Sequence, residues 1–112
     1  MPPPLCIPVP GQDWGNADAG LIQDGINYLS GLQGGCCVGP TSCVRISCSW
    51  NSAIFLCNDN GYTICPNCGY LATYASDMIN DCSSWNGGDS IIVGGQLFDS
   101  DHYNIIVRWD SC

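Results

Sequence analysis

Cysteine is the residue type whose number and spacing first suggest chemistry, with ten among 112 residues. Cys65 and Cys68 have the Cys-x-x-Cys spacing of a redox dithiol or of half a zinc site. A redox pair is expected after a strand in a βαβ unit, and a zinc site needs two further ligands. His102 is the only histidine and no second Cys-x-x-Cys occurs. Structural disulfides are therefore favoured over zinc or redox chemistry, and we predict no metal and no cofactor.

We predict that every cysteine forms a disulfide, namely Cys6, Cys36, Cys37, Cys43, Cys48, Cys57, Cys65, Cys68, Cys82 and Cys112. This density is typical of proteins from oxidising compartments, so we expect a secreted, extracellular protein. The first ten residues lack the basic and long apolar segments of a signal peptide, which predicts a mature chain. Connectivity stays open among about 945 pairings. Only the neighbours Cys36 and Cys37 are expected to reach different partners, because bonding each other would strain the intervening peptide.

Carboxylates and the single histidine are the next candidates for chemistry. Asp99, Asp101 and His102 fall in one short turn, and paired carboxylates can hydrolyse glycosides only when they oppose each other across a cleft. The chain has no lysine and no Gly-x-Ser-x-Gly nucleophile motif. We therefore predict that the protein is not an enzyme. Asn58–Gly61 resembles part of a calcium loop, but the chain has no glutamate to close it, so an ordinary turn is favoured.

Aromatic residues are candidates for binding a partner and not for catalysis. The chain has four tryptophans, of which Trp50 and Trp85 fall in predicted turns or loops. Loop tryptophans beside Tyr62, Tyr103 or Arg108 could form a sugar-stacking or partner-binding patch, or they could cap the edges of a small core. As candidate partner-binding residues we take Trp50, Trp85, Asp99, Asp101, His102 and Tyr103.

The charge balance excludes two classes of partner. The net charge is −8, and Arg45 and Arg108 are the only fixed cations. Such a surface repels phosphate backbones, so we expect no nucleic-acid binding. Anionic membranes are disfavoured for the same reason, and no apolar run approaches the roughly 20 residues that span a bilayer, so we expect no membrane insertion.

The elements that would position these residues belong to one domain. Residues 1–15 form a proline-rich arm that Cys6 should tie down, and residues 16–112 form a single disulfide-rich domain. The spacing of apolar residues predicts a helix over 16–32, capped by Asn16 or Asp18. Gly20 and Gly25 either weaken this helix or allow it to pack closely on a sheet. A second helix is predicted over 65–82, with Pro66 in its first turn.

Four strands complete the predicted order of helix, hairpin, helix, hairpin. The first hairpin pairs 44–48 with 53–57, and its cysteines are expected to tie the C-terminus and a helix to the sheet. The closing strands are 91–98 and 103–109. We predict an α+β fold: a four- to five-stranded antiparallel sheet with two helices packed on one face. An edge strand at 103–109 would allow a homodimer across a two-fold axis, although nothing requires one.

Several stretches carry a family resemblance: Cys43–Asn60, the helix ending at Cys82, Val93–Asp99 and Tyr103–Cys112. Together they resemble the small cysteine-rich secreted proteins of filamentous fungi, some of which act on plants as elicitors or effectors. The resemblance implies a non-enzymatic protein that acts on a host. Its expected partner is a plant surface component or receptor, or a cell-wall glycan.

More distantly, the pattern is similar to that of fungal killer toxins of the killer-protein-four type. This similarity implies a disulfide-stapled α/β sandwich, a Cys48–Cys112 disulfide, and a link from Cys6 to the Cys68–Cys82 helix region. It makes an antimicrobial or ion-channel-blocking protein the alternative function. Those toxins are basic and depend on a cationic residue, whereas this chain is strongly acidic. A carbohydrate-binding module using Trp50, Trp85 or Trp109 is the third function considered.

Overall fold

A computed structural model describes residues 3–112, so Met1 and Pro2 of the predicted arm lie outside the described residues. The helices are α1 (Ala19–Ser30) and α2 (Cys68–Cys82). The strands are β1 (Leu5–Cys6), β2 (Ala17–Asp18), β3 (Ser42–Ser49), β4 (Ser52–Asn58), β5 (Ser83–Trp85), β6 (Ile91–Val93), β7 (Gly95–Asp99) and β8 (Tyr103–Trp109). The predicted α+β class is confirmed.

The larger sheet has five antiparallel strands in the order β1-β7-β8-β4-β3. The β3–β4 hairpin is present as predicted, with a two-residue turn at Trp50 and Asn51. Both of these residues have positive φ, as this kind of tight hairpin turn requires. The prediction that 103–109 forms an edge strand is wrong, because β8 is hydrogen-bonded to β7 on one side and β4 on the other. Strand β8 therefore has no unpaired edge that could pair with a second copy across a two-fold axis.

A second, three-stranded sheet in the order β2-β6-β5 was not expected from the sequence. It exists because the predicted strand 91–98 is divided at Gly94 between the two sheets. A β-carbon at Gly94 would collide with the side chain of Ile7 and lie 2.9 Å from Oδ1 of Asn16. The arm therefore packs directly on the backbone where the strand changes sheet, and only glycine leaves room for it.

Both helices begin later than predicted. The helix α1 starts after Asp18, whose Oδ1 accepts a hydrogen bond from the Leu21 N–H at 2.9 Å, because the chain just before it is paired in β2. Asn67 caps α2 in the same way, accepting from the Tyr70 N–H at 3.0 Å. The placement of Pro66 inside α2 is wrong, because its carbonyl pairs with the Cys36 N–H at 2.8 Å and holds it in a loop.

The core lies between the helices and the larger sheet. The helix α1 contacts β3 and β4, α2 contacts β7 and β8, and the helices contact each other. The packing of both helices on one face of this sheet stays a prediction. A β-carbon at Gly25 of α1 would lie 2.6 Å from Oγ of Ser47, which confirms that this glycine permits close approach. The largest completely buried side chains include Ile22, Leu29, Ile54, Leu56, Leu71, Met78 and Ile105.

All ten cysteines are paired, as predicted. The disulfides are Cys6–Cys82, Cys36–Cys68, Cys37–Cys65, Cys43–Cys57 and Cys48–Cys112. Cys36 and Cys37 have different partners, as predicted. The Cys-x-x-Cys pair forms structural disulfides, which is also confirmed. Both pairings implied by the killer-toxin resemblance are present. The expectation that the hairpin cysteines also hold a helix is wrong, because Cys43 and Cys57 bond each other across the hairpin.

Candidate functional site

A groove of about 550 Å³ opens at the end of the larger sheet where Asn58 of β4 pairs with Tyr103 of β8. Three segments form its walls: the loop 60–67 after β4, the start of α2, and the turn 99–103 between β7 and β8. A volume of this size falls within the range of about 300–1,000 Å³ that is typical of ligand sites.

Tyrosines provide most of the apolar lining of the groove. Tyr62 is 64% exposed and Tyr70 is 48% exposed, so both rings present aromatic surface to solvent. Tyr103 is buried and also lines the groove. Ile64 and Pro66 complete the apolar surface.

Tyr70 is held from behind by Tyr74, a buried residue one helical turn further along α2. Their ring centroids are 5.2 Å apart in an edge arrangement, and their hydroxyl groups are hydrogen-bonded at 3.0 Å. The ring of Tyr74 in turn stacks on Tyr103, with centroids 6.4 Å apart and an 11° angle between planes. This row connects the exposed Tyr70 ring to the core, so little rotamer entropy remains to be lost when a ligand contacts it.

Asp99 organises the turn from β7 to β8. Its Oδ2 accepts a hydrogen bond from the Tyr74 hydroxyl, and its Oδ1 accepts from the Asp101 N–H at 2.8 Å. His102 lies within this turn and has a φ of 63°, in the left-handed region. Both carboxylate oxygens of Asp99 are thus used within the protein, which makes it a positioning residue.

Two buried phenols are held neutral at the groove, that of Tyr103 in its wall and that of Tyr74 behind it. Burial, reinforced by the charge on Asp99, raises the pKa of Tyr103 to about 12. Burial and the hydrogen bond to Asp99 also raise the pKa of Tyr74. Both side chains therefore remain protonated well above neutral pH.

Hydrogen bonds of Asn58 and Asn60 fix the wall that loop 60–67 forms. The buried Asn58 amide donates to the carbonyl of Tyr62 at 2.7 Å, and its Oδ1 accepts from the Asn60 N–H at 2.9 Å. The Asn60 amide donates to the carbonyl of Asp101 at 2.9 Å, which joins this wall to the β7–β8 turn. The segment 58–61 is thus a hydrogen-bonded turn. Within residues 3–112, no three His, Cys, Asp or Glu side chains are grouped as metal ligands.

Two disulfides fix the loop that leads into α2. Cys37–Cys65 and Cys36–Cys68 bracket Pro66 and Asn67, both of which line the groove. A bridge between Val38 and Ile64 adds paired backbone hydrogen bonds of 2.9 and 3.1 Å. The Cys-x-x-Cys spacing therefore serves to immobilise one wall of the groove.

The structure brings together some of the candidate residues and separates others. Asp101, His102 and Tyr103 line the groove, and Asp99 lies directly behind them. Trp50 is 84% exposed at the tip of the β3–β4 hairpin, at the far end of the same sheet. Trp85 is exposed on β5 of the smaller sheet, where its indole N–H donates to the carbonyl of Gly88. The tryptophans thus do not share a surface with the other candidates.

The sequence did not indicate several groove residues, among them Tyr70 and Asn67. A usable signal existed for Tyr70, because it lies off the apolar stripe of α2 and so had to face away from the core. No local pattern could show that the helix start and the β7–β8 turn meet, since that contact depends on strand order.

Neither helix in residues 3–112 combines the length and apolarity needed to cross a membrane. Comparison of the chain with models of protein families, with curated proteins and with solved structures found no match.

Proposed function

We propose that this chain is a secreted, non-enzymatic fungal protein that binds a component of a host plant and thereby elicits plant defence. The observation that carries the proposal is the preformed groove between loop 60–67, α2 and the β7–β8 turn. Its walls are fixed by two disulfides and by the hydrogen bonds of Asn58, Asn60 and Asp99. A rigid site of this kind binds with a small loss of conformational entropy.

The chemistry of the groove favours binding over catalysis. Asp101 and His102 are neighbours in one turn, so they do not face each other across a substrate as an acid–base pair must. Asp99 is occupied by Tyr74 and Asp101, and the raised pKa of Tyr103 keeps its phenol from acting as a base near neutral pH. These features support a recognition site.

Action on a host rests on the resemblance to secreted fungal elicitors and effectors. An extracellular site of action fits five disulfides in a single small domain. The charge of −8 favours neutral or cationic surface components as partners.

Leaf infiltration tests the proposal. Purified protein at micromolar concentration should induce a defence response, measured as an oxidative burst and marker-gene expression. Tyr62→Ala should abolish or strongly weaken it, because Tyr62 is an exposed groove residue whose loss leaves the core intact. Tyr28→Ala is the matched control, since Tyr28 is 57% exposed on α1 and does not line the groove. Absence of a response to the wild type would contradict the proposal.

A further inference from the structure

We propose that the groove binds a neutral polysaccharide, with Tyr62 and Tyr70 stacking against sugar rings. This inference rests on the proposed function and names the class of target that the same site recognises. It follows from three properties of the groove: the arrangement of its aromatic surface, the donor and acceptor character of its polar groups, and its charge.

The aromatic surface suits pyranose rings. A sugar ring has a face of C–H groups that packs on the negative face of an aromatic ring, while its hydroxyl groups point outward around the rim. Tyr62 and Tyr70 offer two partly exposed rings in one groove, separated along the chain by the rigid segment at Pro66. The remaining aliphatic lining is limited to Ile64 and Pro66, which is too little for an acyl chain or a run of apolar side chains.

The polar groups match hydroxyl ligands. A sugar hydroxyl both donates and accepts, so it needs partners of both kinds nearby. The Asp101 carboxylate accepts, the Ser100 hydroxyl does both, and the His102 imidazole adds two ring nitrogens that can hydrogen-bond a hydroxyl group. Within the described chain, no internal hydrogen bond is made by these three side chains, so they are available to a ligand.

The charge excludes acidic ligands. No arginine lines the groove, and Asp101 contributes a carboxylate to it. Arg45 is paired with Asp110 at 2.8 Å, and Arg108 lies 4.8 Å from the Phe55 ring centroid, both on other parts of the sheet. A phosphate, a sulfate or a polyuronate would therefore meet the Asp101 carboxylate and no fixed cation, whereas an uncharged glycan is not repelled.

Sedimentation with insoluble polysaccharides tests the inference. The wild type should bind at least one of cellulose, chitin and β-1,3-glucan, and should not be retained by polygalacturonate. Tyr62→Ala should bind about tenfold more weakly, because one stacking ring is lost. Tyr62→Phe, which keeps the ring, and Tyr28→Ala, outside the groove, should bind as the wild type does. The inference is overturned if none of the neutral polysaccharides is bound, or if Tyr62→Ala binds as well as the wild type.

The leaf assay separates failure of this inference from failure of the proposed function. A leaf response that depends on Tyr62, combined with no binding to neutral polysaccharides, would overturn the glycan as target while leaving the groove as the host-binding site. Binding that depends on Tyr62, without any leaf response, would support the glycan and contradict elicitation.

Discussion

The phenol of Tyr74, buried on α2, donates a hydrogen bond to the carboxylate of Asp99 at the end of β7. This contact links the helix that carries Tyr70 to the turn that carries Asp101 and His102. Because the other oxygen of Asp99 accepts the Asp101 N–H, one carboxylate determines the relative position of two groove walls.

Replacement of Asp99 by asparagine should therefore destabilise the protein. Asparagine has one acceptor oxygen where aspartate has two, so either Tyr74 or the Asp101 N–H loses its partner. We expect a loss of about 1–3 kcal/mol in the free energy of unfolding, measured by urea denaturation with the disulfides intact. Asp89→Asn, at an exposed loop position, is the control and should change stability little. Equal stability of the two variants would show that the contact does not hold the turn.

Stability should fall at alkaline pH because of the buried tyrosines. The pKa of Tyr103 is raised to about 12 in the folded protein, against about 10 for an unperturbed tyrosine. The folded state thus prefers the neutral phenol, and this preference contributes fully below about pH 10 and is lost as the pH rises towards 12. We predict a decline in unfolding free energy over that interval. It should be shallower in Tyr103→Phe, and an unchanged pH dependence in that variant would contradict the assignment.

His102→Gly should separate stability from function. The left-handed φ of 63° is sterically unfavourable for histidine, whereas glycine adopts it without a steric penalty. The substitution should therefore stabilise the protein by up to about 1 kcal/mol. It also removes the imidazole from the groove and should weaken the leaf response and polysaccharide binding. Thr41→Gly is matched to it, since Thr41 has φ 50° and does not line the groove. This control should gain stability and keep activity. A fully active His102→Gly protein would exclude a role for the imidazole.

Two disulfides should differ in their effect on the groove. Cys48–Cys112 spans 64 residues and lies at the Trp50 end of the sheet, and its removal should cost about 4 kcal/mol. Cys37–Cys65 spans 28 residues beside the groove, and its removal should cost slightly less, about 3.5 kcal/mol. Binding should nevertheless be weakened more in the Cys37→Ala/Cys65→Ala variant than in Cys48→Ala/Cys112→Ala. The local role of Cys37–Cys65 would be contradicted if the variant that loses more stability also loses more binding.

The sequence was sufficient to predict both helices, the central hairpin and the pairing of all ten cysteines in disulfides. Apolar spacing identified α1 and α2, because each buries one stripe, and the β-branched runs identified β3 and β4. The extra sheet could not be predicted, since the division at Gly94 depends on the approach of Ile7 and Asn16, which are distant in sequence.

The candidate site was predicted only in part, for a similar reason. The turn at Asp99–Tyr103 was recognisable because acidic and polar residues interrupt two apolar runs. Its neighbours Tyr62 and Tyr70 come from other elements, and only the position of β8 between β7 and β4 places them beside it. Trp50 and Trp85 were candidates because loop tryptophans often bind partners, and both are highly exposed. Trp50 lies at the opposite end of the sheet and Trp85 lies on the smaller sheet, and neither lines the groove.

Cell-surface labelling tests the central claim, that the groove is the host-binding surface. Because the chain has no lysine, an amine-reactive dye attaches at the α-amino group and leaves the groove side chains unmodified. We predict that labelled wild type and Tyr28→Ala decorate plant cells equally, and that Tyr62→Ala decorates them about tenfold less. Equal decoration by Tyr62→Ala, or binding of the wild type to fungal cells but not to plant cells, would contradict the account.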